Sequence, residues 1–394
     1  MNGRTLLLAL LPVSMLVAAP LRAEDAADRA DAVVRGAMSA HRIPGVCLGV
    51  VRDGHLVKAT GYGYANVELR VPMSTVSVFQ SGSVAKQFTA TAIMMLVEEG
   101  RLELDTPLSK YFPQASSTPA GRLTVRQLLT HTSGLPDIFG ATDQTSYTKG
   151  ILDFRRDYTE DELLAKYLAL PLDFEPGSRW SYSNTGYEIL GFLIHRVSGE
   201  FYGDFLKRRI FAPLSMSTAR IISEQDIVPN RVSGYRIVDG KLENQEWIAP
   251  SLNTTADGGL YLTVLDLAKW DAALYTRKLL PRAALELMWT PVRLSTGATY
   301  PYGFGWEIGA VNGHPLLYHT GSNQGFWISI SRYVADHLSV IVLTNLDEAH
   351  SSTLEIAEQV AAIYLPALAR DRAVGSRGTM KPIHPRSGRR RRSW

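Results

Sequence analysis

The chain of 394 residues contains a single cysteine, Cys47. One thiol can form neither an internal disulfide nor a cysteine-based zinc site. Its neighbours Val46, Leu48, Val50 and Val51 place it as a buried thiol in a strand. Long hydrophobic runs are also scarce. The run Leu6 to Ala19 is interrupted by Pro12 and falls short of the roughly 17 to 25 residues that span a bilayer, and no later stretch reaches that length. No Gly-Lys-Ser or Gly-Lys-Thr follows a glycine loop, Gly61-Tyr-Gly63 lacks a third glycine, and there is no His-Glu-x-x-His or Gly-x-Ser-x-Gly. Phosphate-loop, dinucleotide-binding, zinc-peptidase and nucleophile-elbow chemistries are thereby set aside. Excess positive charge is missing where it would matter. The formal sum is +3, but residues 370 to 394 carry nine basic groups against Asp371, and the body between leader and tail is acidic. That balance speaks against a nucleic-acid-binding domain.

What is present begins with a leader. Arg4, the apolar run and Leu21-Arg22-Ala23 have the zones of a secretory signal, with cleavage expected after Ala23 and a periplasmic or secreted product. The whole chain is 45% hydrophobic and 20% charged, the composition of a globular protein. Residues 24–369 are expected to form one domain and residues 370–394 a basic, disordered tail.

Residues 25 to 41 read as a helix, and 46–51 and 56–64 as strands around Asp53-Gly54, a hairpin signal. Residues 84–97 are apolar on every face and stop at Gly100, as a buried helix does. Capping boxes at Thr124 to Gln127 and Thr159 to Glu162 start further helices, followed by helices over 185–198, 201–212 and 264–275. Past Pro301 the period changes to strands at 304–308, 316–319, 326–333 and 339–344, and 353–365 forms a last helix. Strands at both ends with helices between predict one sheet built from the termini, an antiparallel α/β (α+β) layer flanked by the terminal helices. A helical subdomain occupies about 85–290, with a cleft between the two parts.

Three short patterns carry chemistry. Ser83-Val-Ala-Lys86 opens the buried helix, so a hydroxyl and an amine lie one turn apart on one face. That pairs a nucleophile with a base, and burial would lower the amine's pKa. A second copy, Ser146 to Lys149, lies in a polar stretch with no helix to present it. Tyr182-Ser183-Asn184 enters the 185–198 helix: a phenol there can relay protons, and the amide can orient both Lys86 and a substrate carbonyl. The similar Tyr64-Ala-Asn66 lies ahead of Ser83 in the early hairpin region. Third, His319-Thr320-Gly321-Ser322 ends a strand, where the Ser322 backbone N–H can face that of Ser83 as an oxyanion hole.

Taken together, the motifs resemble those of the serine β-lactamase and penicillin-binding-protein superfamily, in the order and Tyr-x-Asn form of its class C branch with the related esterases and D-aminopeptidases. The resemblance spans roughly 27–365 and includes Leu129 to Pro136, Gly258 to Tyr261 with Asp266 to Ala268, Tyr302 to Trp306 and Val342 to Asn345. It implies a Ser83 acyl-enzyme, a base role shared by Lys86 and Tyr182, and substrate contacts from Asn184, His319, Thr320 and Gly321. It also implies backbone stabilisation at Ser83 and Ser322, and no metal or organic cofactor. His319 departs from the lysine usual in class C enzymes; a histidine is mostly neutral at pH 7. That favours ester, amide or D-amino-acid peptide substrates over β-lactams. Two alternatives stand beside this reading: a β-lactamase or DD-peptidase, and a penicillin-binding member acylated without turnover. His131 is expected to serve loop hydrogen bonds, and of Trp180, Trp306, Phe326 and Trp327 one or two are expected to face ligand.

Overall fold

The computed structural model describes residues 23–137, 152–223, 225–245, 247–347 and 350–369. The leader, the basic tail and Ser146 to Lys149 lie outside the described residues. Helix α1 (Ala23–His41) leads into β1 (Gly45–Arg52) and β2 (His55–Asn66), joined at Asp53 and Gly54, both with positive φ (51° and 76°). Such a turn has the twist a hairpin needs. After β3 (Val71–Pro72) and β4 (Phe79–Gln80) come the helices: α2 (Lys86–Glu98), α3 (Val125–Leu129), α4 (Glu160–Leu168), α5 (Asn184–Ser198) and α6 (Tyr202–Leu206). Both expected capping boxes are formed, at Thr124 with Gln127 and at Thr159 with Glu162. Short strands β5 (Arg220–Ile221), β6 (Tyr235–Val238), β7 (Lys241–Asn244) and β8 (Leu260–Leu262) precede α7 (Val264–Ala273), α8 (Arg282–Met288), β9 (Val292–Arg293) and β10 (Thr299–Tyr300). The chain returns through β11 (Glu307–Val311), β12 (His314–Asn323), β13 (Phe326–Tyr333), β14 (Leu338–Thr344) and α9 (His350–Tyr364).

As expected, both ends of the chain build the main sheet. Its seven strands run β11-β12-β13-β14-β1-β2-β3, with β14 beside β1 in antiparallel register, Leu48 opposite Val342. Alternation sorts the side chains. Val46, Leu48 and Val50 of β1 join Val340 and Val342 of β14 in a core with Ala30 and Val34 of α1 and Ile356, Ala357 and Val360 of α9. Cys47 and Val51, with Ile341 and Leu343, face the opposite way, into a core shared with Val264, Leu267 and Trp270 of α7. Covered on both faces, β1 and β14 therefore read as nearly continuous apolar runs. Cys47 is fully buried, and burial pushes its thiol up to about 12.

The stretch between β2 and β11 holds helices α2 to α8, together with a sheet of order β4-β8-β5 and the hairpin β6-β7. Helix α2 is buried along nearly its whole length, which accounts for its apolar composition. The expected helix over 201–212 is instead α6 followed by a π-helical turn, Lys207–Phe211. Among the described residues no helix is long and apolar enough to cross a membrane.

Candidate active site

Ser83 sits in a single 3₁₀ turn, Gly82–Ala85, immediately ahead of α2, rather than in an α-helix. In a 3₁₀ turn residues i and i+3 eclipse, so Lys86 at the start of α2 lies directly over Ser83. Lys86 Nζ is 3.0 Å from Ser83 Oγ, 2.7 Å from Asn184 Oδ1 and 2.8 Å from the Asp257 carbonyl. Its three N–H bonds thus have three oxygen acceptors, an arrangement that holds an ammonium. Full burial works against the charge and lowers the pKa to about 8, while the carboxylates of Asp257, Asp137 and Glu188 push it back up.

The Tyr182-Ser183-Asn184 segment enters α5 in extended form. Ser183 is the N-cap, its hydroxyl accepting from the Gly186 N–H, and this leaves Tyr182 and Asn184 on either side of the cap. Burial pushes the Tyr182 phenol well above its ordinary range, and its interaction with the Ser83 side chain pulls it back in part. The Lys86 ammonium stands 5.0 Å from the centre of the Tyr182 ring. Asn184 is oriented from behind by Asp137, which accepts from its Nδ2 at 3.2 Å and from its backbone N–H at 3.3 Å. With Nδ2 turned to a carboxylate, Oδ1 must face Lys86.

The third motif lies on β12. Ser322 and Gly321 press against the Ser83 turn: a Cβ added at Gly321 would lie 2.1 Å from the Ser81 carbonyl oxygen and 2.9 Å from the Ser83 nitrogen. One at Gly82, whose φ is +49°, would lie 2.5 Å from the Ser322 nitrogen. Glycine at both positions lets the Ser83 and Ser322 backbones meet. Two amides brought together beside a hydroxyl provide the geometry an oxyanion hole uses. Ser322 itself is exposed, its hydroxyl donating to Asp347 at 3.1 Å.

His319 is at the site, enclosed from solvent. It is fully buried, with Nδ1 2.6 Å from the Thr320 carbonyl and Nε2 3.0 Å from the Tyr302 hydroxyl. Burial, reinforced by the positive Lys86, pushes its pKa down to about 3, so the ring is neutral. His131 serves as the expected loop anchor: its carbonyl accepts from the Ser181 N–H at 2.9 Å and its Nδ1 from the Ser183 N–H at 3.1 Å. The decoy Tyr64-Ala-Asn66 lies on β2, with Asn66 donating to Ser233. Of the four aromatics, Trp306 and Phe326 are core residues, while Trp180 and Trp327 are half-buried.

Sequence reasoning missed Asp137, Asp257, Tyr302 and Glu188. Asp137 and Asp257 each stand one residue outside a recognised phrase, and Tyr302 opens one, but no local spacing ties any of them to Ser83. Glu188 is one turn along α5 from Asn184, which is a helical-face signal. Among the described residues there is no cluster of histidine, cysteine and acidic side chains that could hold a metal ion.

A family model, beta-lactamase, matches residues 30–365. The chain belongs to the beta-lactamase family. Within that family it is 30% identical, over 323 residues, to a penicillin-binding protein of Bacillus subtilis (strain 168), covering 78% of this chain and 69% of that one. It is 29% identical over 326 residues to a D-aminopeptidase of Gluconobacter oxydans (strain 621H), covering 80% of this chain but 57% of that protein. The solved D-amino acid amidase of Ochrobactrum anthropi SV3, complexed with L-phenylalanine amide, superposes with a TM-score of 0.73 at 25% identity, over 88% of this chain and all of that one. The fold is that of the β-lactamase/transpeptidase group, and the protein is a serine hydrolase.

Proposed function

We propose that the protein is an exported hydrolase that works through a Ser83 acyl-enzyme on esters, amides or D-amino-acid peptides. The observation that carries the reading is the contact of 3.0 Å between Lys86 Nζ and Ser83 Oγ. Two pKa directions divide the proton work between Lys86 and Tyr182. Burial makes a neutral Lys86 amine accessible near neutral pH and makes a Tyr182 phenolate costly. Lys86 is therefore the acylation base and Tyr182 the proton relay. Ser83 Oγ bonds to the acyl carbon while its proton passes to Lys86 Nζ. The negative charge on the former carbonyl oxygen is met by the Ser83 and Ser322 amides. As the acyl carbon–heteroatom bond breaks, the leaving amine or alkoxide takes that proton through Tyr182. Water then attacks the ester, gives its proton back through the same groups, and releases the acid with Ser83 restored.

The substrate class follows from charge. Neutral His319 offers no cation to a substrate carboxylate, and Asp137 and Asp257 lie close to the amine of Lys86. A neutral or amine-bearing acyl group suits such a site better than an anionic one. The D-aminopeptidase and the D-amino acid amidase among its relatives are consistent with that preference. Export rests on the leader pattern of residues 1–23. A panel of p-nitrophenyl acetate, D-alanine p-nitroanilide and a cephalosporin tests the proposal. Turnover of ester or D-amino anilide at least tenfold above the cephalosporin is expected; the reverse order would assign the protein to β-lactam hydrolysis.

A further inference from the structure

The Tyr302 hydroxyl lies between two buried imidazoles. It is 3.2 Å from His131 Nε2 and 3.0 Å from His319 Nε2. The far nitrogen of each ring meets a backbone group whose role is fixed. A backbone N–H can only donate, so His131 Nδ1, facing the Ser183 N–H at 3.1 Å, must be an acceptor. A carbonyl can only accept, so His319 Nδ1, facing the Thr320 oxygen at 2.6 Å, must carry a proton. In neutral rings the near nitrogens are then determined: His131 Nε2 bears hydrogen and His319 Nε2 bears a lone pair. Tyr302 can serve both, accepting from the first and donating to the second. Its other neighbour, Tyr187, donates to the Leu129 carbonyl at 2.8 Å and is a weaker acceptor than an imidazole nitrogen.

We propose that Tyr302 is a positioning residue: it completes a one-directional hydrogen-bond chain, Ser183 N–H to His131 to Tyr302 to His319 to Thr320 C=O, which ties the loop bearing Tyr182 and Asn184 to the oxyanion strand β12. The chain rests on the hydrolase reading above for its use, but its existence is independent of it. Ser183 stands between Tyr182 and Asn184, and Thr320 is two residues from Ser322, so each end of the chain sits beside a group presented to Ser83. The His131 ring also packs under Tyr182, with centroids 4.2 Å apart. Fixing that imidazole fixes the phenol above it. A second consequence is electrostatic. A histidine locked as Nδ1–H with its lone pair occupied does not bring positive charge next to Lys86. The groups facing His319 and Tyr302 are Lys86, Tyr182, Tyr187, His131 and Glu307. Burial raises Glu307 to about 7 and the three tyrosines further.

The test is ¹⁵N-histidine NMR on the full chain between pH 5 and 8, with His131→Asn and His319→Asn spectra for assignment. His131 should appear as the neutral Nε2–H tautomer and His319 as the neutral Nδ1–H tautomer, neither titrating. In Tyr302→Phe, which keeps the ring and removes only the bridging hydroxyl, His319 should stay the Nδ1–H tautomer that the Thr320 carbonyl imposes, but its Nε2 resonance should shift as the lone pair loses its hydrogen bond. Ester turnover should fall roughly ten- to hundredfold in kcat, as misplacement of catalytic groups produces, with KM changing less than about threefold. An Nε2–H tautomer at His319, or a His319 that titrates near 6.5 in the wild type, would overturn the chain. So would Tyr302→Phe with an unshifted His319 Nε2 resonance and unchanged kcat. Should the wild type hydrolyse none of the substrates, the hydrolase reading fails and the tautomer measurement still decides the chain.

Discussion

Replacing Lys86 by arginine probes the division of labour at the site. Burial takes the amine from 10.5 to about 8. A shift of that size corresponds to about 3 kcal/mol. At pH 7 about one tenth of Lys86 is then neutral, several hundred times the fraction of an unshifted lysine. If the neutral amine is the base, kcat/KM should climb about tenfold per pH unit below the limb and level off above pH 8 to 9. Arginine keeps the charge but cannot be deprotonated in this range. Lys86→Arg should therefore lose at least about a thousandfold in kcat/KM and lose the limb as well. The Asp137 carboxylate is one of the groups holding the Lys86 pKa up. Asp137→Asn should thus move the limb to lower pH. The assay is kcat/KM for p-nitrophenyl acetate from pH 5.5 to 10, corrected for spontaneous hydrolysis. A limb near 10, or Lys86→Arg retaining a tenth of the activity, would refute the assignment of the base.

Three other perturbations follow from the packing. Arg332 is fully buried and donates to Asp271 at 2.5 Å, while Ser339 donates to the same oxygen at 2.7 Å. Asp271→Ala leaves a buried guanidinium uncompensated and should cost about 3 to 5 kcal/mol in urea unfolding; a loss under 1 kcal/mol would contradict the pairing. Glu307 is buried beside Tyr318 and its pKa is raised from 4.5 to about 7. The folded state therefore binds its proton more tightly than the unfolded chain. The stabilisation is complete below pH 4.5 and is lost as pH rises through 7, a contribution of about 3 kcal/mol. Glu307→Gln should flatten that part of the stability–pH curve, and an unaltered slope would count against a neutral Glu307. His319→Lys adds a cation where the wild type has a neutral ring. The ratio of cephalosporin to ester hydrolysis should rise even as the ester rate falls, and an unchanged ratio would remove the charge argument for substrate class.

Much of this architecture can be read from local patterns because its elements are delimited by local chemistry. The Asp53-Gly54 turn, the capping boxes at Thr124 and Thr159, and Gly199 with φ of +78° after α5 each mark an element boundary in a few residues. Strands β1 and β14 were legible as apolar runs, and a single sheet built from both ends followed from the helices placed between them; their direct pairing did not. The short strands β4, β5 and β8 were not, because two or three residues carry no period. Hairpin β6-β7 was legible in principle from Asp239-Gly240, but its strands are largely exposed and weakly apolar. At the site, Ser83, Lys86, Tyr182 and Asn184 were found because each belongs to a spaced pattern, and the structure brings all four together. Asp137, Asp257 and Tyr302 reach Lys86, Asn184 and His319 only through tertiary contact. The same reason explains His319: its motif marks the strand and its residue type makes it mostly neutral at pH 7, but only the surrounding burial and Tyr302 show that its ring is tied inward.

The central claim is that Ser83 forms a covalent acyl-enzyme that turns over. Intact-protein mass spectrometry after rapid mixing with p-nitrophenyl acetate or nitrocefin, followed by peptide mapping, measures it directly. The account predicts an adduct of one acyl mass on Ser83 that decays as product accumulates, and no adduct or turnover in Ser83→Ala. A persistent adduct without product release would make the protein a penicillin-binding member that does not deacylate, and an adduct on any other residue would contradict the site itself.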